Sequence, residues 1–307
     1  MSGLLLWLGA LQVLGGGLGR YRALVVADPA PSAASLGKIR VNYLGTNGYR
    51  FETGPHALLV DPYFSRVGLG AYLFRPPIGP NLAEIETASD FFAHTEVILA
   101  THGHIDHLLD VPPIMEMTGA RLLASRTAVD LAVAAGASPA RCAAVRPGEI
   151  RQIGPWRIRV LPATHDQVFP IGIPFPGPRK GTARPRWASD WVCGEPLAFL
   201  IEVVGQRIYV DSGGSPTFLP PNDLGPVDLA IIGVALPDAR RRFSATVRRL
   251  QPRFVLPSHQ DDFFRPLDRG FAFGPLTDFP RVLRDDARGK LPGRLILLDY
   301  FQPWTLP

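Results

Sequence analysis

Cysteine is scarce in this 307-residue chain: only Cys142 and Cys193 are present. Two thiols do not build a disulfide framework, and neither lies in a C-x-x-C unit, which argues against a dithiol redox motif. Charge is thin as well, 19% of residues against 46% hydrophobic, which excludes a disordered chain. No segment recurs at a period of about 20 to 50 residues, so a solenoid or propeller is excluded. No basic block interleaves with aromatics; the net charge of +5 therefore gives no nucleic-acid groove, and no nucleic acid is expected as a partner. What is present is length enough for a sizeable core. Pro (32) and Gly (31) are plentiful but aperiodic, the pattern of many turns and loops.

The N-terminal stretch "GLLLWLGALQVLGGGLG" (Gly3 to Gly19) is uncharged and rich in leucine. It falls a little short of the roughly 20 residues of a bilayer span, and it lacks the basic start of a signal peptide. Arg20 and Arg22 follow it, a flank that the positive-inside tendency keeps cytoplasmic. Two readings stand: membrane association or export through residues 3–19, or neither, with the protein in the cytoplasm. "DPAPSAASLG" (Asp28 to Gly37) then reads as a linker. Residues 1–37 are thus expected to be leader and linker, and residues 38–307 one domain.

From Lys38 the pattern becomes that of strands. "KIRVNYL", "YRFETG" and "HALLVDP" are short, β-branched or aromatic runs separated by Gly-rich turns. "EVILA" is wholly apolar, as a strand buried on both faces would be. "TAVDLAVAAG" predicts a helix ending at Gly136, and "WRIRVLPA" a strand ending just before His165. Residues 166–196 carry little periodicity, and a loop that long in a compact domain is usually functional. "LAFLIEV" and "QRIYV" predict a hairpin turning at Gly205; "VDLAIIGV" and "PRFVLP" predict buried strands around a helix at "SATVRRLQ"; "RLILLDY" predicts a last strand. Strands in runs followed by strands alternating with helices imply a layered α/β architecture.

The chain has seven histidines, and "LATHGHIDHLLD" (Leu99 to Asp110) contains three of them. On a turn leaving a strand, His102 and His104 project to one side, because strand side chains alternate with period two. Asp106 and His107 follow a change of direction and face a second point nearby. A single histidine is usually an ordinary core or surface residue. Three within six positions, with an aspartate among them, are hard to bury for packing alone, since each needs a partner. Imidazole and carboxylate together suit zinc, and also iron or manganese. His165, Asp211 and His259 each end a predicted strand, at "RVLPATH", "RIYVD" and "FVLPSH". Taken singly these are turn or capping residues; taken with the cluster they complete the seven ligands that two adjacent metal ions need.

The order His102-x-His104-x-Asp106-His107, then His165, Asp211 and His259, resembles the metallo-β-lactamase superfamily of metallohydrolases over about Lys38 to Phe264. The resemblance implies a four-layer αββα sandwich with the site on one edge. It implies two divalent metal ions, zinc first, with His102, His104 and His165 on one, Asp106, His107 and His259 on the other, and Asp211 bridging. Asp61 in "LLVDPYFS" matches the early strand-end aspartate that orients the histidine turn. Within the superfamily, "VNYLGTNGYRFETGPHALLVDPYFS" and "VDLAIIGV" are similar to the branch of L-ascorbate-6-phosphate lactonase and N-acylphosphatidylethanolamine phospholipase D. "GVALPDARRRF" and "SHQDDFF" depart from it.

Two such metals, about 3.5–4 Å apart, would generate a bridging hydroxide near neutral pH, oriented by Asp106 and Asp211, to attack carbon or phosphorus. A phosphodiester or phospholipid-like substrate is expected first, with a lactone or other ester as the alternative. An iron-dependent redox enzyme on the same fold, or a metal-binding protein without turnover, is the alternative of another class. Arg240, Arg241 and Arg242 could meet phosphate through their planar forks, though a solvated helix start is the plainer reading. Asp261 and Asp262, close to His259 in sequence, either assist the leaving group as a general acid or, on the plainer reading, form a solvated loop pair. Lys180, Arg184, Arg186, Trp187 and Trp191 belong to a loop that either closes over substrate or touches lipid, or is simply packed down by its tryptophans.

Overall fold

The β-branched and aromatic runs after Lys38 pair into a first sheet. Its strands are β1 (Ile39–Gly45), β2 (Gly48–Thr53), β3 (His56–Val60), β4 (Thr95–Leu99), β5 (Arg121–Ala124) and β6 (Cys142–Ala144). A second sheet holds β7 (Ile150–Ile153), β8 (Trp156–Pro162), β9 (Leu197–Val203), β10 (Gln206–Val210), β11 (Leu229–Gly233), β12 (Phe254–Ser258) and β13 (Arg294–Leu295). The chain then returns to the first sheet, where β14 (Pro303–Leu306) runs antiparallel to β1. These features belong to a computed structural model that describes residues 16–29, 37–74, 76–168, 172–213, 224, 226–237 and 242–307.

Period-two alternation sorts the strand residues into layers. Leu58, Val60, Val97 and Leu99 face inward with Ile208, Val210, Leu229 and Ile231, and these form the core between the sheets. Leu59 and Ile98 point outward, where α4 (Val111–Thr118) and α5 (Arg126–Ala135) cover them with Val111, Ile114, Ala128 and Leu131. Tyr209, Ala230 and Ile232 point to the opposite outside, under α6 (Arg242–Leu250) and α7 (Phe279–Ala287). Both faces of each sheet are thus covered, which explains why β4 reads as an unbroken apolar run. Two sheets between two helical layers are the αββα sandwich that the sequence resemblance implies. Shorter helices, α1 (Leu69–Phe74), α2 (Leu82–Thr87) and α3 (Ile105–Leu108), lie between β3 and α4.

Strand directions decide where the site lies. β3, β4, β5 and β6 are mutually parallel, as are β10, β11, β12 and β13. β8 is antiparallel to β9 and β9 to β10, so β8 runs with β10. The C-terminal ends of β4, β8, β10 and β12 therefore carry, in order, the His102 turn, His165, Asp211 and His259.

Two expectations change. Residues 16–29, which composition assigns to leader and linker, pack on the second sheet. Leu18 is buried in its outer layer, Tyr21 meets Phe273 and Phe279 edge-on, and Val26 and Leu24 exchange backbone hydrogen bonds with Leu297. This is also why "RLILLDY" is cut short as a strand: the Ile296 amide still donates to Val255, but from Leu297 the backbone pairs with residues 24–26. The rest of the apolar stretch, residues 1–15, lies outside the described residues, as do linker residues 30–36. Among the described residues no helix is long and apolar enough to cross a membrane.

Asp261 is the second change, for it is not solvated. It is fully buried, and its carboxylate accepts from Arg66 Nη2 at 2.9 Å, the Tyr300 hydroxyl at 2.6 Å and the Thr46 amide at 3.0 Å. Arg66 reaches it across Gly45, whose φ of 91° favours glycine and where a Cβ would stand 1.7 Å from Nη2, so a side chain there would push the guanidinium off the carboxylate. Asp262 is half-buried beside it. Burial pushes the Asp261 carboxyl up, but Arg66, then Tyr300 and Thr46, outweigh it and hold the group below its ordinary range.

Removing one partner of a buried pair strands the other charge, so Arg66→Ala should cost about 3–5 kcal/mol in urea unfolding. The depressed carboxyl stabilises the fold above its unfolded value of about 3.9, and that contribution is lost as pH falls through the folded value. The stability lost in Asp261→Asn should accordingly be greatest near neutral pH and shrink below about pH 4; a pH-independent difference would contradict the ion pair.

Candidate metal centre

β4 ends at Leu99, and the turn beyond it is built around one glycine. A Cβ on Gly103 would lie 2.3 Å from the Val192 carbonyl oxygen and 2.8 Å from Leu131 Cδ1. Glycine alone lets the backbone come so close, and the Gly103 amide donates to the Cys193 carbonyl at 3.0 Å. His104 occupies the N-cap position of α3, whose turn reverses the chain and separates Asp106 and His107 from the first two histidines.

The turn and the distant strand ends meet. His102, His104 and His165 form one triad of ligand-capable atoms within 4.8 Å of one another, and Asp106, His107 and His259 form a second. The triads abut, with the rings of His102 and His107 only 4.0 Å apart. Six of the seven sequence-predicted ligands are thus brought together.

Hydrogen bonds assign the tautomers of the first triad. Thr101 Oγ1 donates to Asp61 Oδ2 at 2.6 Å, so it accepts from His102 Nδ1 at 3.1 Å and leaves His102 Nε2 without a proton. His104 Nε2 donates to the Pro174 carbonyl at 2.8 Å, and His165 Nδ1 donates to the Asp166 carbonyl at 2.7 Å. The remaining lone pairs turn toward one another, and His102 Nε2 and His104 Nδ1 stand 2.9 Å apart with no proton assigned between them. A cation resolves that repulsion, so the donor set fits a metal ion. Burial, then repulsion among the rings, holds His102 and His165 well below the ordinary imidazole value, and burial takes His104 down to about 4. Neutral imidazole is the ligating form.

In the second triad the balance reverses. Burial disfavours charge on His107, but Asp106 and then Asp61 bring it up to about 10. Asp106 is likewise pushed up by burial, yet His107 and His259 hold it well below the carboxylate range. Asp106 Oδ2 lies 3.3 Å from His107 Nε2 and 3.0 Å from His259 Nε2. This pocket calls for positive charge between its members, as a proton or a metal ion. His259 Nδ1 is buried with no hydrogen-bond partner in the structure.

A relay of small polar groups joins the halves. Asp61 accepts from His107 Nδ1 at 2.8 Å, from the Thr101 amide at 2.7 Å and from Asn47 Nδ2 at 2.8 Å. Asn47 Oδ1 in turn accepts from the Ser258 hydroxyl at 2.6 Å, and the His259 amide donates to the Thr46 carbonyl at 2.8 Å. Sequence reading finds Asp61 but misses Asn47, Thr101 and Ser258. "GTNG" between two strands looks only like a hairpin turn, and the other two are neighbours of histidines with no pattern of their own.

Asp211 is fully buried at the end of β10, but it belongs to neither triad. Its carboxylate accepts from the Tyr209 hydroxyl at 2.9 Å and from the amides of Gly213 at 3.0 Å and Gly233 at 3.2 Å. Its neighbour Ser212 lines the same cavity as His165. Of the arginine cluster, Arg240 and Arg241 lie outside the described residues, while Arg242 opens α6, is ion-paired with Asp166 and donates to Thr164 Oγ1 at 2.9 Å. Trp191 is 2% exposed and packs the long loop down, whereas Trp187 is 39% exposed. His56 pairs with Glu96 away from the site.

A cavity of about 300 Å³ opens onto both triads. Its floor is His104, Asp106, His107, His165 and His259, and most of the rest of its lining is aromatic or aliphatic.

Comparison with known proteins agrees with this fold. The family described as Beta-lactamase superfamily domain matches residues 40–259. A UPF0173 metal-dependent hydrolase of Myxococcus xanthus is 25% identical over 283 residues, covering 87% of this chain and 86% of its own. Igni18, a metallo hydrolase from Ignicoccus hospitalis, shares the fold with a TM-score of 0.57 at 17% identity, covering 88% of this chain and 99% of its own. The metallo-β-lactamase fold protein YhfI from Bacillus subtilis gives a TM-score of 0.55 at 15% identity, covering 87% and 99%. These two likenesses show the fold.

Alanine at Asp106 or at His165 should lower the metal content of the purified protein, read by plasma mass spectrometry. Asp61→Asn, which leaves the ligands in place but removes the charge that orients His107, should weaken metal binding about 10- to 100-fold. Undiminished metal in both alanine variants would overturn the two triads as metal sites.

Proposed function

The chain belongs to the beta-lactamase superfamily, and from that premise we propose that it is a metal-dependent hydrolase holding two divalent cations. His102, His104 and His165 would hold one, Asp106, His107 and His259 the other, and Asp211 would supply a further carboxylate. The observation that carries this reading is the meeting of six donors from distant segments in two abutting triads on the floor of one cavity. Imidazole and carboxylate donors put zinc first and are compatible with iron or manganese. When bound, such cations polarise a carbonyl or phosphoryl oxygen and bring the pKa of water toward neutrality.

The chain's own residues do the rest. Asp61 fixes the ring of His107 and, through Thr101, that of His102. The Pro174 and Asp166 carbonyls fix His104 and His165. Asp106 and Asp211 orient the attacking water. The apolar walls exclude bulk solvent and so strengthen every charge interaction on the floor.

A polar floor beneath apolar walls suits an amphiphile, so the substrate is a phosphodiester or phospholipid-like molecule. One observation favours a second reading, a lactone or other neutral ester: Arg242 is already ion-paired with Asp166, which blunts its attraction for phosphate.

Metal-loaded protein should hydrolyse bis-p-nitrophenyl phosphate faster than a panel of lactones. Chelation should abolish the activity and added zinc restore it. Turnover of lactones alone moves the assignment to the second reading. Two bound irons with oxygen-dependent turnover and no hydrolysis would reject both.

A further inference from the structure

The floor of the cavity is accounted for by the metal ligands, but its walls are not. Phe175 sits at φ 40°, a left-handed backbone that an aromatic residue rarely adopts. Such strain persists only where the surroundings impose it. Here the Phe175 carbonyl accepts from the Cys193 amide at 2.9 Å and the Gly177 carbonyl accepts from the Gly194 amide at 3.0 Å. The Pro174 carbonyl between them and the site accepts from His104 Nε2 at 2.8 Å. The result is a phenyl ring edge-on to His104, with ring centres 6.5 Å apart, beside the first triad.

A second aromatic wall stands beside the other triad. Phe263 is edge-on to His259 with ring centres 5.2 Å apart, and Phe264 packs on it at 4.1 Å. Leu236, Pro275 and Leu276 continue the lining. All three phenylalanines are only half-buried, so their rings keep surface for a ligand. Each triad thus has an apolar face next to it. Water gains little from such a lining, whereas an alkyl or aryl group gains its full burial.

We infer that Phe175, Phe263 and Phe264 determine specificity by receiving an apolar chain bonded next to the scissile centre. The substrate is then an ester or phosphoester of a long-chain or aromatic acid or alcohol, not a small polar one. The word substrate rests on the hydrolase reading above; binding of the chain does not.

Metal-loaded protein is titrated by calorimetry with straight-chain carboxylates from acetate to octanoate, and the p-nitrophenyl esters of the same acids are assayed in parallel. Kd should fall about fourfold for each methylene buried until the cavity is filled, and kcat/KM for the esters should rise in step. Phe263→Ala and Phe175→Gly should flatten both series, while Phe263→Leu, which keeps an apolar wall, retains the slope. Glycine relieves the backbone at position 175, so a retained melting temperature in that variant separates loss of the ring from loss of the fold. A Kd independent of chain length, or a slope that survives both ring deletions, overturns the inference. Chain-length-dependent binding of the acids without hydrolysis of any ester or phosphoester leaves the apolar pocket standing and removes the hydrolase reading instead.

Discussion

One buried carboxylate fixes the geometry on which the centre depends. Asp61, with none of its surface exposed, accepts from the Thr101 amide and hydroxyl, from Asn47 and from His107. Three of these donors meet on Oδ2 and the Thr101 amide takes Oδ1, so one carboxylate holds four groups at once. It ties the end of β3 to the turn after β4. Through Asn47 and Ser258 it also ties the first sheet to the end of β12, which carries His259. The separation of the two triads is thereby set by hydrogen bonds of 2.6–2.8 Å rather than by packing alone.

The backbone is strained where this frame meets the site. Asp61 at φ 41°, Phe175 at φ 40° and His259 at φ 56° are all non-glycine residues in the left-handed region. Each is held there by identified bonds: Asp61 by its donors, Phe175 by the Cys193 amide, His259 by the Thr46 carbonyl. Left-handed residues also occur elsewhere, at His94, Val204 and Gln251 among others, but these three hold side chains of the candidate site and its frame in place. The two triads also differ in their electrostatics. Three imidazoles kept neutral by burial offer lone pairs, whereas Asp106, with Asp61 behind His107, attracts positive charge. The two triads would therefore attract a cation by different physics, one through directed lone pairs and one through net negative charge.

Much of the layer structure was legible in the sequence because each buried strand is a short apolar run and each site residue follows one. The runs ending at Leu99, Pro162, Val210 and Ser258 are strands in the structure, and the segments beyond three of them supply the two triads. Short or weakly patterned elements were not legible. β6 has three residues, β13 has two and β14 opens on a proline, so none carries a periodicity to read. Residues 16–29 have the composition of a leader, yet Leu18 is buried, because an apolar residue flanked by glycines looks the same whether it is packed or not. Asp261 looked solvated because its partners, Arg66 and Tyr300, are distant in the chain.

The sequence by itself determined the donor chemistry: it sets three histidines and an aspartate on one turn, and a histidine or aspartate after each of three other strands, side chains that need partners once buried. Tertiary structure alone decided how those donors divide into two triads. It also gave the Asp211 carboxylate the Tyr209 hydroxyl and two glycine amides as hydrogen-bond donors, and it turned three phenylalanines, from the long loop and the segment after His259, into the walls above the triads. The physical reason is that side-chain type is local, whereas ring orientation, proton placement and cavity shape are set by hydrogen bonds between residues far apart in the chain, such as Ser258 and Asn47 at 211 positions.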